Sequence, residues 1–115
     1  MLSIGDIIPQ VWVPHEDTGT RYLIQPLQPR DGQRLLQAAR NKKTGEIDHV
    51  TYNGLVAEHI VRDWDGVGDK GVATPCTPEA RIRFGERFGR IVGFLIEKAV
   101  DPVLFSDEAE AGKNA

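Results

Sequence analysis

Between Trp64 and Thr77 the chain carries Gly66, Gly68, Gly71 and Pro75, a density of breakers that excludes a helix through this stretch. On its far side, Thr77-Pro78-Glu79 has the composition of a helix start. Threonine offers a capping oxygen, proline stands where no amide hydrogen is needed, and the glutamate meets the positive end of the helix dipole. The chain is therefore cut into two portions joined by turns, with Asp69-Lys70-Gly71 predicting a small hairpin or an ordered loop. At 115 residues it has room for one domain.

Upstream of this block the reading is first extended, then helical. Val11-Trp12-Val13 and Tyr22-Leu23-Ile24 are β-prone runs, and Pro14 to Gly19 between them is rich in turn formers. An antiparallel hairpin follows, with Pro9, Pro14 and Pro26 bounding the strands. A short helix opens at Pro29-Arg30-Asp31, carries Leu35, Leu36, Ala38 and Ala39 on an apolar stripe, and ends by Lys42 to Gly45. A second is predicted from Asn53 to Arg62, with Asn53 as its cap and Leu55, Val56, His59 and Ile60 on one face.

Downstream, Phe84, Phe88, Ile91, Val92, Leu95 and Ala99 keep helical spacing from Thr77 onward. Gly85, Gly89 and Gly93 interrupt it at every fourth residue, each weakening a helix by roughly 1 kcal/mol relative to alanine. A break is expected near Gly89, with a further helix to about Val100. The same glycine ladder has a second reading, a seam that lets another backbone approach closely. The fold class expected is α+β: an N-terminal hairpin packed with about four short helices in a single domain over residues 1–102. Residues 103–115 then read as an acidic, solvated tail.

Charge and composition narrow the function classes. Hydrophobic residues make up 40% and charged residues 27%, too apolar for wholesale disorder. The apolar run Ile91 to Val100 is too short to span a bilayer and carries Glu97 and Lys98. No basic stretch precedes an apolar core at the start, and the single Cys76 excludes an internal disulfide, so a cytoplasmic setting is expected. Asp101, Asp107, Glu108 and Glu110 against Lys113 place the whole formal charge of −3 in the last fifteen residues. The body is neutral and gives a polyanion no long-range attraction.

Candidate chemistry is sparse. Cys76 lies between Pro75 and Thr77 with none of His15, His49 or His59 at a diagnostic local spacing, so no nucleophile–base pair is legible and the chain reads as non-enzymatic. Gly66-Val67-Gly68 lacks the third glycine and the preceding apolar strand of a dinucleotide site, so no cofactor is implied. Asp63, Asp65 and Asp69 suggest a calcium loop, but Val67 and Thr74 stand where ligands are required, and no zinc spacing occurs. Arg81, Arg83, Arg87 and Arg90 make a basic strip, of which Arg83, Arg87 and Arg90 share a face near Glu79 and Glu86. Salt bridging to those acids is the plain reading of that face. A small regulatory or nucleic-acid-associated role through it is the alternative, and needs the arginines unopposed by acids. Phe84 and Phe88 are expected on the core side.

The segment Val61-Arg62-Asp63-Trp64-Asp65-Gly66-Val67, through Asp69-Lys70-Gly71 to Thr74-Pro75-Cys76-Thr77-Pro78-Glu79, resembles the small tail assembly chaperones of long-tailed bacteriophages. That group carries a tryptophan-x-glycine-valine turn, an acidic-x-glycine turn and a threonine-proline-glutamate helix start. An aromatic break and an apolar helix follow, as in Phe88-Gly89-Arg90-Ile91-Val92-Gly93-Phe94. Arg21 to Leu27 also resembles its first strand region, so the likeness covers roughly residues 20–100. The motif residues Trp64, Gly66, Gly71, Thr77 and Pro78 are structural on this reading.

The resemblance implies a phage or prophage protein that binds tail tube and tape measure proteins during tail morphogenesis and is absent from the finished virion. It implies neither membrane nor nucleic acid as a partner. Candidate client surfaces are the hairpin edge, Phe94, Leu95 and Ile96 on the last helix, and Val103, Leu104 and Phe105. This last group is either exposed beyond Pro102 or folded back on the core. Pairing of copies through the glycine ladder or the hairpin edge would give a homo-oligomer.

Overall fold

A computed structural model of the chain describes residues 8–106. Strands β1 (Val11–His15) and β2 (Thr20–Ile24) form the expected hairpin, with Val13 opposite Tyr22 and His15 opposite Thr20. Gly19 turns the connecting loop with φ 69°, which a side chain rarely adopts. Strand β3 (Val61–Asp65) adds to the free side of β2, giving an antiparallel order β1-β2-β3. The sequence reading ran a helix to Arg62, and this third strand corrects it. Ile24 pairs with Val61 but Leu23 pairs with Asp63, so Arg62 is the extra residue of a bulge.

The buried face of the sheet is a row of Val13, Tyr22 and Trp64 crossing all three strands. Phe84 packs on it, with its ring centroid 5.5 Å from both Tyr22 and Trp64. The outer face carries Trp12, Arg21, Asp63 and Asp65, all exposed.

Helix α1 (Pro29–Ala38) has proline in its first turn and stops before the lysines expected to end it. Arg40 and Ile47 then bridge across the intervening loop. Helix α2 (His49–Ile60) starts before Asn53, because Asp48 caps it by accepting from Val50 N at 3.0 Å and Thr51 N at 3.3 Å. At its other end, carbonyls without helical partners are taken up one by one. Glu58 O accepts from Arg81 Nε at 3.2 Å, His59 O from Gln25 Nε2 at 2.7 Å, and Ile60 O from Gln25 N at 2.9 Å. The Arg81 side chain and Gln25, through both its amide side chain and its backbone, thus anchor the C-terminus of the central helix.

The residues between Trp64 and Thr77 form a second small hairpin, β4 (Gly68–Asp69) with β5 (Val72–Ala73). Lys70 and Gly71 both have positive φ, 53° and 81°, as a tight primed turn requires. Helix α3 (Pro78–Arg87) begins at Pro78, capped by Thr77 Oγ1 accepting from Ala80 N at 3.1 Å. It breaks at Phe88, where ψ is 57°, and α4 (Gly89–Ala99) continues the chain. A short helical stretch at 102–106 closes the described chain.

The glycine ladder divides by position. A Cβ on Gly85 would lie 2.3 Å from Asn53 O and 2.7 Å from Ala57 Cβ, so α2 and α3 touch backbone to backbone there. Gly54 is the reciprocal site, with Ile82 O 3.0 Å from its would-be Cβ. Gly89 sits at the break, and Gly93 faces open space. Both readings of the ladder therefore hold, each for a different glycine. Hairpin, helices and antiparallel sheet together make an α+β fold.

Candidate protein-binding face

Three stretches singled out separately in the sequence meet around one open groove of about 460 Å³. Strand β1 and its following loop form one wall, from Trp12 to Asp17; Phe94 and Lys98 of α4 form the other, and Leu104 closes one end. Each side chain is held by identifiable chemistry. Trp12 is 41% exposed, and the Arg21 guanidinium lies 5.0 Å from its ring centroid. Arg21 is itself held by Asp65 at 3.0 Å. That exposed pair adds at most about 1 kcal/mol, so its main effect is to place the cation on the indole.

Across the groove, Phe94 is clamped between His15, edge-on at 5.1 Å, and the Lys98 ammonium at 5.6 Å. His15 is fixed in turn by Thr18, whose hydroxyl lies 2.7 Å from Nδ1. The chain of contacts continues through Thr20 to the buried Tyr22 hydroxyl, which accepts from Thr20 at 2.8 Å. Burial pushes the Tyr22 phenol up from its ordinary value, against the smaller opposing effect of the Thr20 hydrogen bond.

The groove unites only part of the expected client surface. Phe94 and Leu104 line it, and Val103 is 63% exposed beside it. Leu95 is fully buried and Phe105 is 6% exposed, which corrects their assignment as contact residues. Leu95 turns inward because α4 presents Val92, Leu95 and Ala99 to the core. Phe105 folds back beside Leu27 and Ala99, so Leu104 and Phe105 pack on the cluster of buried residues rather than standing clear of it. Ile96 is half-buried. The rest of the proposed acidic tail, residues 107–115, lies outside the described residues. The hairpin edge is a poor template for strand addition, since Pro14, the fourth of the five residues of β1, lacks an amide hydrogen. Trp12, His15 and Lys98 were not named individually as client contacts from the sequence, although strand alternation sets Trp12 on the face opposite Val11 and Val13.

The other marked residues serve the scaffold. Trp64 is 8% exposed, and its indole N–H donates to Thr74 O at 2.7 Å. Gly66 has φ 89°, and Thr77 and Pro78 start α3. Arg81, read as part of the basic strip, is buried and donates to Cys76 O at 2.9 Å as well as to Glu58. Burial pushes the Cys76 thiol up, partly offset by Arg81. Among the described residues no cluster of three or more His, Cys, Asp or Glu side chains is placed to hold a metal ion, and no helix is long and apolar enough to cross a membrane.

Arg83, Arg87 and Arg90 are exposed. Among the described residues they make no ion pair with Glu79 or Glu86, contrary to the expected salt bridging.

A family model described as YdaY prophage protein matches residues 23–113. The chain belongs to the YdaY prophage protein family. The matched stretch runs from β2 to beyond the described residues, so it includes Phe94, Lys98 and Leu104, whereas Trp12 and His15 precede it. No curated protein and no solved structure matches the chain.

Proposed function

We propose that this prophage protein is a non-enzymatic tail assembly chaperone, which holds a tail tube or tape measure protein in the groove between β1 and α4 until the tail polymerises. One observation carries the reading: Trp12, Phe94 and Leu104, drawn from three separate elements, line a single open groove. Aromatic side chains with partly exposed apolar area and polar neighbours suit transient protein contacts. The groove also holds Lys98, Glu16 and Asp17 at its margin, which suits a client contact that must later dissociate. Such a chaperone acts in the host cytoplasm and leaves before the virion is complete.

Co-expression with the tail tube and tape measure proteins of the same prophage tests this. The proposal expects one of them to co-purify with the wild-type chain and to be lost from the Trp12→Ala variant. Absence of both from the wild-type eluate overturns it.

A further inference from the structure

A second groove, of about 540 Å³, lies between the β4–β5 hairpin and α3, on a different part of the surface from the one above. Lys70 at the hairpin turn and Arg83 and Arg87 on α3 line it, Asp69 shares the rim, and Trp64 and Phe84 contribute the apolar floor. Phe88, expected in the core, is 41% exposed here because the chain leaves helical geometry at that residue. Its ring packs on Phe84 at 5.3 Å, and the Arg87 guanidinium lies 5.6 Å from its centroid. Arg90 follows on the next element, also exposed.

We propose that this groove binds a short stretch of single-stranded nucleic acid, with one base stacked on Phe88 and the flanking phosphates held by Lys70, Arg83 and Arg87. The sequence argues against nucleic acid on three grounds, a neutral body, paired arginines and a buried Phe88; the first stands, and the other two do not hold among the described residues. An exposed aromatic ring flanked by guanidinium groups that make no ion pair among the described residues is the arrangement that single strands use: stacking that tolerates any base, and cations that follow the backbone. A duplex hides its base faces and gains nothing from Phe88. An acidic peptide fits the cations, but has no planar base to lay on the ring. The neutral body confines attraction to this patch, so the site takes few nucleotides and is sensitive to salt.

Fluorescence anisotropy of a labelled ten-nucleotide oligothymidylate, titrated with the full chain from 20 to 200 mM salt, provides the test. Three phosphate contacts predict a slope of log K against log salt of about −2, and Arg87→Gln lowers its magnitude by about 0.7. Phe88→Leu keeps an apolar side chain over Phe84 but removes the stacking plane, and binding weakens by about fivefold or more. Thermal melts of both variants confirm that they are folded, and Trp12→Ala, on the other face, binds like wild type. No binding at 20 mM salt overturns the proposal. So does equal affinity for a duplex of the same length, or displacement by polyglutamate together with an unaltered Phe88→Leu, which would make the face a docking site for acidic protein.

Discussion

Trp64 is the residue on which most of the packing converges. Its ring completes the buried row with Val13 and Tyr22, meets Phe84, and fixes the loop beyond β4–β5 through its bond to Thr74 O. Trp64→Ala is expected to lower stability by about 3–5 kcal/mol, measured from urea unfolding. Trp64→Phe keeps most of the ring and loses the hydrogen bond, so it should cost less. Similar losses for both would put the weight on Thr74 rather than on packing. Tyr22 adds a pH dependence. Its folded phenol titrates above the ordinary value because of burial, so above about pH 10 the unfolded chain releases a proton that the folded chain keeps. The Tyr22 contribution is constant below that range and falls as pH rises through it. Denaturation midpoints between pH 8 and 11 should show the decline, and Tyr22→Phe should flatten it.

Among the elements, the α2–α3 contact depends on glycine at position 85, whereas Gly93 on α4 takes no part in it. Gly85→Ala drives a methyl into Asn53 O and Ala57, and its overpacking cost of about 1–3 kcal/mol outweighs the roughly 1 kcal/mol that alanine gains in a helix. Gly93→Ala meets nothing within 4 Å and should stabilise by about 0.5–1 kcal/mol. Thermal melts that shift the same way for both would contradict the assigned packing. These glycines also show what was legible in the sequence. Four-residue spacing announced a close approach or a kink, but only the partner helix decides which glycine does which. The hairpin, the Thr77 cap, the Lys70-Gly71 turn and the break after α3 were written in local turn and capping chemistry. Strand β3 was not, because the bulge at Arg62 removes the alternation that would have marked it. The start of α2 was missed since Val50 and Thr51 are β-branched, and Asp48 caps them into a helix regardless.

At the scale of the whole molecule, two grooves lie on one scaffold: an aromatic one between β1 and α4, and a cationic one beside α3. The sequence named Phe94 and Leu104 as contacts and suspected the hairpin. It gave no sign that they meet, because only the packed fold brings residues so far apart in the chain to one place. Membership of a prophage protein family agrees with the phage origin that the Trp64 to Glu79 block suggested. The chaperone role rests on the first groove, and its most direct test is a titration of purified chain against the tail tube and tape measure proteins of its own prophage. The account predicts saturable binding to at least one of them, weakened about tenfold or more by Trp12→Ala, as for a central aromatic contact, and unchanged by Arg87→Gln. Binding that ignores Trp12, or no binding to either protein, would contradict it.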